Sequence, residues 1–152
     1  MMIGIEVLNV VVDASGSFCE FGKQHMLDYL GNTVMNAENM PWARAQFNFC
    51  IWREEIVAVE SLEKIPAEGV TNVEALIRFL LERKDNEAVL LITDGDFKGA
   101  DKRPLKNAAE TLGNRFAVAA AGFDASILRL HSMTPNCFAA EDMLTAIKIL
   151  AS

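Results

Sequence analysis

Runs of consecutive apolar residues alternate along this chain with stretches in which apolar residues return every three or four positions. The run from Ile5 to Val12 is almost continuously apolar and β-branched, the pattern of a strand covered on both faces, as in a parallel sheet. It ends at Asp13-Ala-Ser-Gly-Ser17. From Phe18 to Met35, the residues Phe21, Met26, Leu27, Leu30 and Val34 fall at helical spacing, and Asn36 to Trp42 reads as a loop closed by Pro41. Ala45 to Trp52 alternates polar and apolar positions, and Glu55 to Glu60 does so again after the short Arg53-Glu54 connection. This pair predicts a hairpin that places an antiparallel strand at one sheet edge. Thr71 opens the segment TNVEALIRFLLER, in which Val73, Leu76, Ile77, Leu80 and Leu81 form one apolar stripe and Glu74 lies one turn inside the start.

The second half repeats the alternation. Ala88 to Thr93 is another apolar strand and ends at Asp94-Gly95-Asp96, and Pro104 to Leu112 supplies an amphipathic helix. Arg115 to Ala121 is a further buried strand closed by Gly122. Ser126 to Leu130 suggests a short helix and Cys137 to Ala140 a last short strand. Glu141 to Leu150 predicts a closing helix with Met143, Leu144, Ile147 and either Ile149 or Leu150 turned inward. The expected fold class is α/β, a sheet with both faces covered by helices. No internal repeat and no linker divides residues 1–152, so one domain is expected; the weakly patterned stretches are Asn36 to Trp42, Glu63 to Val70 and Asp96 to Arg103.

This order of elements brings three loops together. In an open parallel sheet, ligands bind beyond the carboxyl ends of the strands, where the strand order reverses. Asp13 to Ser17 and Asp94 both follow such ends, and if the hairpin lies on one side of the first strand and the later strands on the other, the first strand is the reversal point. The helix opened by Thr71 leads back into the strand ending at Asp94, so its amino end faces the same edge. Ser15, Ser17 and Thr71 offer uncharged oxygens, and Asp13 and Asp94 charged ones. An all-oxygen set suits a hard cation such as Mg²⁺ or Mn²⁺ rather than zinc. If hydroxyls bind directly and the carboxylates act partly through water, the ion stays incompletely neutralised and attracts one further anionic oxygen, such as a partner's Asp or Glu.

Composition narrows the partners. Lys and Arg number 14 against 21 Asp and Glu, a net charge of −7, and no basic cluster is dense enough to track phosphates. Nucleic acid and membranes are therefore not expected partners. No apolar run reaches the roughly 20 residues of a spanning helix and no basic, cleavable leader is evident, so a cytoplasmic protein is expected if residue 1 is the natural start. Cys19, Cys50 and Cys137 match neither a disulfide framework nor a zinc site and read as reduced, mostly buried thiols.

At the loop residues the sequence resembles the von Willebrand factor A (VWA) domain family. That family's metal-ion-dependent adhesion site has the pattern DxSxS, then a distant Thr, then a distant Asp. Here the pattern reads Asp13-Ala-Ser15-Gly-Ser17, then Thr71 in EGVTNVEAL, then Asp94 in LLITDGD. The later segments GFDASILRLHS and NCFAAEDMLTAIKIL look like the family's final strand, helix, strand and helix. The resemblance implies a Rossmann-like three-layer α/β/α fold, with a mostly parallel sheet and one antiparallel edge strand. It also implies a divalent cation contacted by Ser15, Ser17 and Thr71, with Asp13 and Asp94 acting directly or through water. Members generally bind other proteins through the metal, and intracellular bacterial-type members often work beside ATPases or in larger assemblies. The helical insertion that some adhesion-type members use has no counterpart here, which argues against an extracellular adhesion role.

Simpler roles compete with these. Taken singly, Asp13 and Ser17 are good caps for the first helix and Thr71 for the second; their joint occurrence with Ser15 and Asp94 favours the metal set. Asp96 extends the negative rim, and Phe97 beside it is the better aromatic anchor for a partner, whereas Trp52 reads as half-buried packing at a hairpin end. The expected function is a non-catalytic, metal-dependent protein-binding module. The alternative is a Mg²⁺-dependent phosphoryl-transfer or hydrolytic enzyme using Asp13, Asp94 and Asp96, with Lys98 or Lys102 toward a phosphate. Aspartate-nucleophile phosphatases, however, carry a second Asp two residues after the first, and that position here is Ser15.

Overall fold

The computed structural model describes residues 4–13, 23–62, 72–93, 103–120, 134–139 and 142–151. Among these, six strands form one sheet in the order β3-β2-β1-β4-β5-β6. The strands are β1 (Val7–Asp13), β2 (Gln46–Trp52), β3 (Ile56–Val59), β4 (Glu87–Thr93), β5 (Phe116–Ala120) and β6 (Cys137–Ala139). All neighbours are parallel except β2 and β3, the expected hairpin, which puts the one antiparallel strand at an edge. The described helices are α1 (Lys23–Glu38), α2 (Val73–Leu81), α3 (Arg103–Leu112) and α4 (Met143–Ala151).

Because successive strand residues point to opposite faces, the apolar runs build two cores. On one face Leu8, Val10 and Val12 of β1 join Phe47 and Phe49 of β2, Ala88, Leu90 and Ile92 of β4, and Val34 of α1 with Ala146, Ile147 and Leu150 of α4. On the other face Val11, Cys50, Trp52, Val89, Leu91 and Val118 meet Leu76 and Leu80 of α2 and Leu105, Ala108 and Leu112 of α3. The result is the three-layer α/β/α architecture expected of the sequence. Strands covered on both sides cannot tolerate alternation, which is why β1 and β4 read as unbroken apolar runs.

Several boundaries and facings depart from the sequence reading. Helix α1 runs through Glu38, past the expected stop at Met35, since Ala37 is buried beneath the added turn and both Ala and Glu favour helix. Midway along the same helix Gly31 lets the chain after β3 approach closely: a Cβ there would stand 2.9 Å from the Leu62 carbonyl oxygen. In α4, Leu150 faces inward, but Leu144 is 40% and Ile149 63% exposed, the inward places being taken by Ala146 and Ala151. In α2, Ala75 is buried while Leu81 is exposed at the last turn. The short helix expected at Ser126 to Leu130 lies outside the described residues.

Candidate functional site

The order β3-β2-β1-β4-β5-β6 reverses at β1. From β1 the chain passes through α1 on one face to β2, whereas from β4 it passes through α3 on the other face to β5, on the opposite side of β1. The crevice expected at such a reversal lies between the carboxyl ends of β1 and β4. Asp13 ends β1 and Thr93 ends β4. Register extends the row: Asp13 stands opposite Trp52 of β2, and Thr93 opposite Ala120 of β5. These four residues share the α2/α3 side of the sheet and are buried.

Asp13 is 1% exposed and Thr93 is fully buried. The Thr93 hydroxyl donates to Asp13 Oδ2 at 2.8 Å, which ties the ends of β1 and β4 together. A buried carboxylate at such a place is costly unless hydrogen-bonded, paired or coordinating a metal. It is thus the kind of group a ligand site at this edge would use.

A third element reaches the same edge. Trp52, expected to be half-buried, is fully enclosed, and its indole Nε1–H donates to the Asn72 carbonyl at 2.9 Å. The Asn72 amide in turn donates to the Arg53 carbonyl at 2.9 Å, so the start of α2 is tied to the end of β2 by two bonds. Asn72 is the N-cap, its side-chain oxygen accepting from the Glu74 amide, and Glu74 lies in the first turn where the helix dipole favours a negative charge. The cap considered for Thr71 therefore belongs to Asn72.

Of the seven residues singled out in the sequence, Asp13 alone is described. Ser15, Ser17, Thr71, Asp94, Asp96 and Phe97 lie outside the described residues, as do Lys98 and Lys102. The flanking residues Asp13, Asn72 and Thr93 lie at the carboxyl edge of β2, β1 and β4. Among the described residues, no three His, Cys, Asp or Glu side chains group as a metal site, and the expected oxygen-rich set has only two carboxylates. Sequence reasoning did not single out Thr93 or Asn72 at this edge, and it read Trp52 only as half-buried packing. Thr93 was the polar terminus of an apolar strand, a signal read as a boundary only.

Another buried polar group lies farther down the sheet. Asn9, fully buried in β1, donates to Glu87 Oε1 at 3.4 Å and to the Ala88 carbonyl at 3.2 Å, and accepts from Asn48 Nδ2 at 2.8 Å. Arg83 donates to Glu87 Oε1 at 3.2 Å and lies over the Phe79 ring. Burial disfavours the Glu87 charge, but the Lys84 amide, Arg83 and Asn9 outweigh it and hold the carboxyl below its ordinary range. Among the described cysteines, burial pushes the Cys50 thiol up to about 11 and raises Cys137 as well, consistent with reduced, unreactive side chains. Cys19 lies outside the described residues.

Among the described residues no helix is long and apolar enough to cross a membrane. The sequence matches no family model and no curated protein. Solved structures do resemble it. A von Willebrand factor type A protein from Catenulispora acidiphila superposes with a TM-score of 0.69 at 15% identity, over 95% of this chain and 41% of that one. The manganese-loaded TRAP protein of Plasmodium vivax gives 0.72 at 13% identity, over 99% and 75%. The conserved hypothetical protein BatB from Bacteroides thetaiotaomicron gives 0.66 at 12% identity, over 97% and 98%. The chain thus spans about two fifths of the Catenulispora protein and nearly all of BatB. With its reversal at β1, its antiparallel edge strand and its two helical layers, the chain has the fold of von Willebrand factor A domains.

Proposed function

We propose that this chain is a divalent-metal-dependent protein-binding module whose site is Asp13, Ser15, Ser17, Thr71 and Asp94. The observation that carries the reading is the buried Asp13 carboxylate at the reversal point of the sheet. Consecutive Cα atoms are about 3.8 Å apart, so the chain enters Ser15 and Ser17 from Asp13 and Asp94 from Thr93, and leaves Thr71 at Asn72. The described flanks Asp13, Thr93 and Asn72 lie at one edge of the sheet. The donors are oxygens, two of them charged, which fits Mg²⁺ or Mn²⁺; the TRAP structure of the same fold is manganese-loaded.

In this reading the hydroxyls of Ser15, Ser17 and Thr71 contact the cation, and Asp13 and Asp94 hold it directly or through water. The bound cation supplies affinity for one outside anionic oxygen, the Asp or Glu side chain of a partner protein. Asp96 and Phe97 form the rim against which that partner rests. An ATPase or a larger cytoplasmic assembly is the kind of partner proposed.

The test is affinity capture from cell extract with wild-type protein in Mg²⁺ and in chelator, beside folded Asp13→Ala and Thr71→Ala variants. The expected outcome is a partner recovered by wild type in Mg²⁺ and lost in the other three arms. Equal recovery by wild type and both variants places the binding surface away from these loops and defeats the proposal.

A further inference from the structure

We infer that Thr93 is a positioning residue for the metal site: its hydroxyl fixes the orientation of the Asp13 carboxylate. The inference rests on the reading of Asp13 as part of a divalent-cation site. An ionised carboxylate only accepts hydrogen bonds, so in the 2.8 Å contact the proton belongs to Thr93 Oγ1. A hydroxyl carries one proton, and here it is committed to Asp13 Oδ2.

Two features make that commitment effective. The terminal torsion of an aspartate is a broad, two-fold rotor with little preference of its own, whereas a β-branched threonine is stiff at χ1. The stiff side chain therefore dictates to the soft one. Both groups are also buried, so water does not compete for the bond. The donor sits on the neighbouring strand in fixed register, one step beyond the Val12 and Ile92 pair, so its position is set by the sheet rather than by a loop. Hydrogen-bond partners behind a coordinating group orient it, and losing one typically weakens metal binding about 10–100-fold.

A role confined to stitching two strand ends together predicts a loss of stability and no loss of cation affinity. Thr93→Val keeps the shape and removes the hydroxyl, Thr93→Ser keeps the hydroxyl, and Asp13→Asn reports on the metal site itself. Thr93→Ala is the second hydroxyl-free variant should valine prevent folding. Mn²⁺ affinity of each folded protein is measured by titration calorimetry, with metal-free thermal midpoints alongside. The expected result is a 10–100-fold loss for Thr93→Val or Thr93→Ala and near-wild-type affinity for Thr93→Ser. Wild-type affinity in the hydroxyl-free variants, with binding abolished in Asp13→Asn, overturns the role of Thr93 and leaves the metal site standing. Equal losses in serine and valine overturn it too, because the hydroxyl is then not the cause. If the wild type binds no Mn²⁺, the metal reading fails and this inference fails with it.

Discussion

A buried polar side chain constrains its surroundings more sharply than an apolar one, because removing its partner strands a donor or acceptor at a cost of about 1–3 kcal/mol. Asn9 is such a residue: it joins β1 to Asn48 of β2 and to Glu87 and Ala88 of β4, so the three central strands share one polar tie. Its sequence signal was a lone asparagine in VLNVVV, which periodicity treats as noise in an apolar run. Nothing local to Asn9 reveals that an asparagine at position 48 and a glutamate at 87 stand across from it. The tie has a pH signature. Glu87 titrates below its ordinary 4.5 because the Lys84 amide, Arg83 and Asn9 together overcome the effect of burial. A depressed carboxyl contributes stability that is present above its unfolded value and lost as pH falls through the folded one. Glu87→Gln should therefore cost stability near neutrality, and the gap between variant and wild type should close as pH falls from neutrality through the ordinary value of 4.5 and below it. Denaturant unfolding across that range measures it; a gap independent of pH would show that the ionised carboxyl is not what the network uses. Cys50 works in the opposite sense, its raised value of about 11 meaning that the fold favours the neutral thiol and loses that advantage only in strong alkali, as pH rises from about 9 through 11.

Elements with strong periodicity were legible; their ends were not. The apolar runs of β1 and β4 and the alternation of β2 and β3 gave those strands to within one or two residues, since burial on both faces or on one leaves a pattern that sequence displays directly. The ends of α1 and α4 and the facings of Leu144 and Leu81 were decided instead by which small residues reach the sheet, a tertiary matter. The start of α2 illustrates the difference most usefully. From sequence only Thr71 was considered as the cap; the cap is Asn72, clamped from below by the Trp52 indole and by Arg53. Asn72→Ala should destabilise the protein by about 1 kcal/mol through loss of the bond to the Glu74 amide, while Asn72→Asp should retain stability or gain slightly from the helix dipole. Chemical denaturation of the two variants checks this. Indifference of the alanine variant would mean that the two backbone ties alone hold the helix start, with the side chain incidental.

At the scale of the whole molecule the topology followed from two inferences, the hairpin at an edge and the first strand at the reversal, and the sheet order bears both out. Structures only 12–15% identical superpose over nearly all of the chain, because the burial pattern that dictates a three-layer sheet survives the exchange of almost every side chain. Function does not follow from that superposition, since one fold hosts many functions and the site alone distinguishes them. The motif residues were read as a set because their order along the chain resembles a known pattern; apart from Asp13 they lie outside the described residues, and the sheet topology alone does not fix whether they act together. A global measurement can nonetheless address it. Any ligand that binds only the folded state stabilises it by about 2.7 kcal/mol at a hundred-fold excess over Kd, a shift of several degrees in the melting midpoint of a domain this size. A chain of net charge −7 also gains from cations by simple screening, so the informative comparison is with a variant that screens almost alike. Asp13→Ala changes the charge by one, from −7 to −6. At matched ionic strength, millimolar Mg²⁺ or Mn²⁺ should raise the midpoint of wild type and not of Asp13→Ala, and chelator should abolish the difference. Equal shifts in both proteins would reduce the effect to screening, and no shift in either would count against the binding module and the Mg²⁺-dependent enzyme together. A shift confined to wild type still leaves those two to be separated, and turnover of a phosphate ester does so: cation-dependent hydrolysis lost in Asp13→Ala would make the site catalytic, whereas binding without turnover is the behaviour of a site with hydroxyls where a phosphatase carries its second aspartate.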